Sequence, residues 1–349
     1  MESNSPLWLL TKNPSLNNLF VKLQEYKKEL TEHSDQECTL TFSKKEIDKA
    51  RQNFSLMILM GEKRLHQLCE LICDHFFDSY RIESQVIGEI SSVGERFTLS
   101  QSISRKDLYS TMDIDIGNRQ INKLRFWENE KWNKAYLVSN ILSYQPLHFT
   151  DLNIHRIISR IKAEEEIWNK VVDEIFELDK IIKHDKKLRH LSRYIKDVFG
   201  IKIIVDKPAN ARDVQKELRN LEFNNEHLGK FRLSNSDKFR RLRLIEFKDH
   251  LTSGKEKGSG WKAYKSVFEW ADKMFEIQIQ TLSNFLHERE RLTTQSHTGF
   301  KLKREDVRDK VSAQIPLFSF YRQLLKWLFL NMSAEPPAFP GVKIVLKER

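Results

Sequence analysis

Cysteine, glycine and proline are all sparse in this sequence: three, eleven and eight in 349 residues. Cys38, Cys69 and Cys73 make an odd number without a framework, which excludes a small disulfide-stapled secreted domain. Cys69 and Cys73 lie one helical turn apart, yet no second pair completes a zinc site, so they read as packing residues. No repeat or low-complexity segment appears. The N-terminus lacks a basic segment followed by an apolar core, so no signal peptide is expected. The most apolar late run, Leu324 to Leu330, is far too short to span a bilayer. The expectation is a cytoplasmic protein with no membrane association.

What is present is ordinary for a globular chain, with 40% hydrophobic and 31% charged residues. A formal net charge of +10 favours an anionic partner. Nucleic acid, a nucleotide polyphosphate or an acidic surface would each satisfy it. The length allows two domains, or one with a large extension.

The most informative stretch is Lys273–Thr281. Phe275, Ile277 and Ile279 alternate with Glu276, Gln278 and Gln280, the period of a strand with one buried face. The following residues carry Leu282, Phe285, Leu286 and Leu292 among polar neighbours and predict a helix that also holds His287 and Glu288. Upstream, a short helix is predicted over 16–30. Ser43 to Glu46 has the form of a capping box and opens one or two helices over 43–80. Residues 81–145 read as strands broken by glycines, and within them Asp113-Ile-Asp115 reads as a polar strand face. Carboxylates two apart on a strand can share a divalent metal, which is the alternative reading. After Pro146, a helical stretch is predicted over 154–182, then a basic run over 180–193. Strands are predicted at 200–205, 241–247 and 266–270, and a helix at 211–221. Residues 305–332 predict a terminal helix or helix pair broken near Pro316, and the proline-rich 336–340 is expected to end order.

Four stretches carry residues suited to phosphate chemistry. They are Ser-Arg-Ile-Lys-Ala-Glu-Glu-Glu-Ile-Trp-Asn-Lys (159–170), Asp-Val-Phe-Gly-Ile-Lys (197–202), Lys-Asp-His (248–250) continuing to Lys-Glu-Lys-Gly-Ser-Gly-Trp-Lys-Ala-Tyr-Lys (255–265), and Glu-Ile-Gln-Ile-Gln-Thr (276–281). Arg160, Lys162 and Lys170 would bring three cations near one helix start, which suits a triphosphate. A Ser-His-Thr-Gly-Phe-Lys run (296–301) closes the series. In this order the stretches resemble the synthetase domain of the RelA/SpoT-type alarmone synthetases. Those carry R-x-K-x-x-x-S-x-x-x-K, D-x-x-G-x-R, K-D-Y with K-x-N-G-Y-x-S-x-H, and E-I-Q-I-R-T elements. The resemblance covers roughly residues 155–305.

The resemblance implies an α+β fold, with a nucleotidyltransferase-like mixed sheet flanked by helices over 151–305. Residues 1–150 would be an additional N-terminal module of helices and strands, and 306–349 a C-terminal helical extension and tail. It implies an ATP-dependent pyrophosphokinase that transfers the β,γ-pyrophosphate of ATP to a ribose 3′-OH of GDP or GTP. Some members use adenine nucleotides or the 3′ end of tRNA. By resemblance, Arg160, Lys162 and Lys170 would hold ATP, and Asp197 and Glu276 would bind Mg²⁺. Glu276 would also deprotonate the hydroxyl. Lys248 and Lys255 would neutralise phosphate charge, Trp261 would stack the acceptor base, and Gln278 would support the acceptor. Lys265 occupies the place of the loop histidine, Lys202 that of the strand arginine, Ser259 that of an asparagine and Glu166 that of a serine. These departures bear on the acceptor and on catalysis. A non-catalytic nucleotide- or RNA-binding module with the same fold is the reading from a different class.

Overall fold

The computed structural model describes residues 13–33, 36–90, 95–128, 130–161, 164–176, 198–252, 254, 261–294, 308–330, 332 and 334–348. The chain is α+β. In chain order the described strands are β1 (Cys38–Ser43), β2 (Tyr80–Ile90), β3 (Arg96–Ser102), β4 (Phe126–Glu128), β5 (Lys131–Asn133) and β6 (Ala135–Pro146). They continue with β7 (Ile154–Ile161), β8 (Phe199–Val205), β9 (Arg243–Asp249), β10 (Tyr264–Trp270), β11 (Lys273–Thr281) and β12 (Val342–Lys347). Two compact units result, one from residues 1–58, 162–196 and 297–349, the other from 59–161 and 197–296.

The first unit is held by aromatic packing and by its chain ends. The helices Pro14–Glu32, Glu164–Ile175 and Pro316–Phe329 bring Phe20, Trp168 and Phe329 together, with Trp168 stacked on Phe329 at 3.7 Å between ring centroids. The buried Arg308 guanidinium donates to Asp173 at 3.1 Å. Contrary to the expectation that order ends at 336–340, the tail forms β12. That strand pairs in parallel with β1 from Cys38↔Val342 to Ser43↔Lys347. The signal is the β-branched and apolar run Val342, Ile344, Val345 and Leu346 flanked by Lys343 and Lys347, which a sequence reading keyed to the prolines passes over.

The second unit is built on one eight-stranded sheet of order β3-β2-β6-β7-β8-β11-β10-β9. Every neighbouring pair is antiparallel except β8 and β11, so the sheet is mixed. A parallel pair requires a crossover; here the helix Pro208–Asn220 and the β9–β10 meander lie between the two strands in sequence. The sheet takes strands from both sides of Pro146 without interruption. The β10–β11 hairpin turns on Ala271 and Asp272, both at positive φ (51° and 61°), the backbone that a two-residue turn needs to match strand twist.

One face of β8 and β11 is apolar. Phe199, Ile201 and Ile203 pair with Phe275, Ile277 and Ile279, and all six are buried. On this face Ser266 of β10, opposite Ile277, donates to Gln215 of the helix Pro208–Asn220 at 2.8 Å. Residues 154–161 are a strand and not the start of a helix. Their apolar run Ile154, Ile157 and Ile158 is buried within a sheet whose two faces are both covered there, which masks the strand period.

Candidate functional site

The other face of β7, β8, β11, β10 and β9 is polar, and register alone collects its residues. Arg160 lies opposite Gly200, Gly200 opposite Glu276, and Glu276 opposite Val267. One step along, Lys202 lies opposite Gln278, Gln278 opposite Lys265, and Lys265 opposite Lys248. Directly paired residues project to the same side of a sheet. Gly200 contributes no side chain, so bare backbone separates Arg160 from Glu276 across about 10 Å, two strand spacings. A Cβ there would meet only the Arg160 carbonyl at 3.7 Å and the Glu276 carbonyl at 4.0 Å. The helix Leu282–Thr294 follows β11 directly and covers one end of this face, where Phe285 packs on Ile158 and Ile204.

Lys265, Lys248 and Lys202 on this face each have a carboxylate. Lys265 is ion-paired with Glu276, and both side chains are almost fully buried. The Gln278 amide also donates to Glu276 Oε1 at 2.5 Å. Lys248 is ion-paired with Glu246, two residues away on the same strand face. Lys202 Nζ donates to both oxygens of Glu288 at 2.7 and 2.8 Å, and Gln280 donates to the same carboxylate at 3.1 Å. Burial pulls the Lys202 ammonium below the ordinary lysine value by more than Glu288 restores. Burial pushes Glu288 upward, but Lys202, Gln280 and Arg160 outweigh it and hold the carboxyl below its usual value. Arg160 itself is exposed.

Of the residues expected to form the site, Arg160, Lys248, Lys265, Glu276 and Gln278 lie together on this face. Trp261 precedes β10 and sets its ring 5.9 Å from that of His250, at the end of β9. Asp197, Lys162 and Lys255 lie outside the described residues, as does the side chain of Lys170. Arg160 stands on the central strand β7, four residues before the helix Glu164–Ile175 begins. The expected grouping of Arg160 with Lys162 and Lys170 near one helix start falls in part outside the described residues. Sequence reading named Lys202 only as a departure and did not connect it to Glu288. Their separation of 86 residues is bridged only by the β8–β11 register.

Asp113 and Asp115 do not form a polar strand face. They open the helix Asp113–Ile121, where Asp115 is exposed and Asp113 is buried. Asp113 Oδ1 lies 3.0 Å from His66 Nε2, and its backbone N–H donates to Glu62 at 2.5 Å. Burial works against the His66 imidazolium, but Asp113 and Glu62 carry its pKa up to about 9.

No family model and no curated protein matches this sequence. Among solved structures, it is similar to the small alarmone synthetase 1 from Bacillus subtilis bound to its product pppGpp. The identity is 16% over 52% of this chain and 77% of that one, with a TM-score of 0.26. A second structure of the same synthetase has the same identity and TM-score, with 78% of that chain covered. A protein from Streptococcus mutans UA159 is similar at 20% identity over 52% of this chain and 77% of its own, with a TM-score of 0.24.

Proposed function

We propose that the chain is an ATP-dependent pyrophosphokinase acting on the ribose 3′-OH of a purine nucleotide, GDP, GTP or an adenine nucleotide. One observation carries the reading. Arg160, Lys202, Lys248, Lys265 and the pair Glu276 and Gln278 come from separate sequence stretches and share one face of five adjacent strands. Arg160, Lys248, Lys265, Glu276 and Gln278 are among the residues that the resemblance to alarmone synthetases assigned to the site, and Lys202 stands where it implies the strand arginine.

Such a transfer depends on positioning and on neutralising phosphate charge. Arg160, exposed beside bare Gly200, is suited to a phosphate oxygen, and Gln278 to orienting the acceptor. Glu276 is the only carboxylate on the floor between Arg160 and Lys265 among the described residues. In the reading, a bound phosphate draws Lys265 off Glu276. The freed carboxylate then takes the 3′-hydroxyl proton while the 3′-oxygen attacks the β-phosphorus. The bond from that phosphorus to the α-phosphate oxygen breaks and AMP leaves.

The Mg²⁺ implied by the resemblance meets an obstacle here. Of its two expected ligands, Glu276 is already engaged by Lys265 and Gln278, and Asp197 lies outside the described residues. The described residues do not form a Mg²⁺ site, and no step is assigned to the metal. The activity is assigned to residues 151–305, with β2, β3 and β6 extending the same sheet and 1–150 and 306–349 given no chemistry.

The buried Lys265–Glu276 pair favours a second reading, a nucleotide-binding module without transfer. The two separate when labelled ATP and Mg²⁺ are incubated with GDP, GTP, AMP or tRNA and the products resolved. A 3′-pyrophosphorylated purine nucleotide together with AMP is the expected result. ATP binding with no transfer to any acceptor would leave the binding module.

A further inference from the structure

A second cluster lies in the same unit, away from the polar face. Glu62 and His66 are one turn apart on the helix Lys44–Phe76, and Asp113 opens the helix Asp113–Ile121. The three residues are 4%, 1% and 7% exposed. Each offers one nitrogen or oxygen atom, and the three atoms lie within 4.8 Å of one another. His66 Nε2 is 3.0 Å from Asp113 Oδ1 and 3.8 Å from Glu62 Oε1. Ligand atoms about a tetrahedral ion bound at 2.0–2.1 Å stand roughly 3.3 Å apart. The separations present bracket that value.

Two further observations point to a cation. The other ring nitrogen, His66 Nδ1, is 3.2 Å from the hydroxyl of buried Tyr144, so it can donate there and leave Nε2 as the ligand atom. The Asn140 amide donates to the Asp113 carbonyl at 2.6 Å and fixes the start of the helix. The charge is also unbalanced. Two buried carboxylates face one imidazole, and an uncompensated buried charge is costly. The Arg105 guanidinium is committed to Glu70, which also accepts from Tyr80 and Tyr109 at 3.0 and 2.7 Å. A divalent ion on a neutral imidazole and two carboxylates balances the site.

We propose that Glu62, His66 and Asp113 bind a first-row divalent cation of the Zn²⁺ class, which ties the helix Lys44–Phe76 to the helix Asp113–Ile121 beside β6. The nitrogen-and-carboxylate donor set suits Zn²⁺. The role is structural, since among the described residues no hydrogen bond or ion pair joins this cluster to the polar face of β7–β11, and the inference stands whether or not the pyrophosphokinase reading does.

The test uses the full chain, stripped with a chelator and titrated with Zn²⁺. A single equivalent should bind, and Zn²⁺ at 100 times its Kd should raise Tm by roughly 5–10 °C. Asp113→Asn and His66→Gln, checked for folding by circular dichroism, should both lose the shift. The Cys69→Ser/Cys73→Ser variant should keep it. Co²⁺ substituted into the wild type should give a d–d spectrum without a thiolate charge-transfer band, a readout that needs no variant. No Zn²⁺-dependent shift in the wild type would overturn the proposal, with a proton on Glu62 then balancing the charge. A thiolate band, or a shift that survives Asp113→Asn, would overturn it as well.

Discussion

Lys265→Met tests whether the ion pair with Glu276 is as buried as its geometry states. The two side chains are 8% and 4% exposed, so water does little to screen or replace either charge. Removing one partner of a buried pair costs about 3–5 kcal/mol, because the other charge stays behind unpaired. The Gln278 amide, 2.5 Å from Glu276 Oε1, remains in the variant and moves the expected loss toward about 3 kcal/mol, a strong hydrogen bond to a charge being worth 1.5–3 kcal/mol. In a unit of about two hundred residues that corresponds to a Tm fall of roughly 6–12 °C. The Lys265→Met/Glu276→Leu double variant removes both charges and should recover most of the loss, since buried pairs are often replaceable by apolar groups at little cost. Urea unfolding of the wild type, both single variants and the double variant measures the coupling directly. A Lys265→Met loss within about 0.5 kcal/mol of zero, the scale of an ordinary surface change, would refute the reasoning. Glu276 would then not depend on Lys265, and its place at the centre of the site would have to be abandoned.

Glu276→Gln keeps the size and removes the basicity; transfer to the 3′-OH should fall by about 100-fold or more, with nucleotide affinity far less changed. Near-full transfer in that variant, read by product formation, would reduce Glu276 to a structural residue. Arg160→Ala should weaken ATP binding by about tenfold or more, the scale of one lost charge-assisted hydrogen bond, with an unchanged urea midpoint; equal affinity by calorimetry would make Arg160 a solvated cation. Glu288 has a folded pKa below its ordinary 4.5. Its contribution to stability is therefore present above that value and lost as pH falls through the folded pKa. Glu288→Gln should flatten the acid limb of the stability curve, and an unchanged limb would count against the Lys202–Glu288 pair. Ending the chain after Pro340 deletes β12 and exposes the β1 edge beside buried Leu40 and Phe42. That truncation should lower the stability of the first unit and speed proteolysis after Cys38, and an unaltered digestion pattern would contradict the pairing.

Where one face of a strand is apolar and the other polar, the sequence was readable. β11 is expected over 273–281 and found over those residues, because Phe275, Ile277 and Ile279 must leave water together while Glu276 and Gln278 need not. At Ser43 the cap bond expected of a capping box is present, the Glu46 N–H donating to the Ser43 hydroxyl at 3.3 Å. Legibility failed where context outweighed the local pattern. β7 carries three buried isoleucines and two arginines with no clean alternation, so a helix fits its composition equally well. Asp113 looks like a strand carboxylate until Glu62 and His66, some fifty residues earlier, are brought to it. Arg160, Lys248, Lys265, Glu276 and Gln278 were legible as residues of one kind and order, and they share one sheet face, but their pairing was not legible. Which lysine meets which glutamate is decided by register across β8, β11, β10 and β9, and no local signal encodes it.

That pairing changes what the charge on the chain can do. The whole molecule carries +10, yet the described polar face sets Arg160, Lys202, Lys248 and Lys265 against Glu246, Glu276 and Glu288. Lys202, Lys248 and Lys265 are each held by a carboxylate, and a neutralised pair does not attract a triphosphate by its field alone. Binding there has to proceed by exchange, a phosphate oxygen taking the place of a carboxylate on a lysine. Exchange frees one carboxylate for each lysine captured. At Lys248 the freed group is Glu246, partly open to water, and the cost is small. At Lys265 the freed group is Glu276, in a desolvated position where an unpaired charge is costly. An anion that reaches Lys265 therefore activates the carboxylate next to it, and one held only by Arg160 and Lys248 does not. On this argument, the depth to which a nucleotide's phosphates penetrate decides whether the face binds or also reacts.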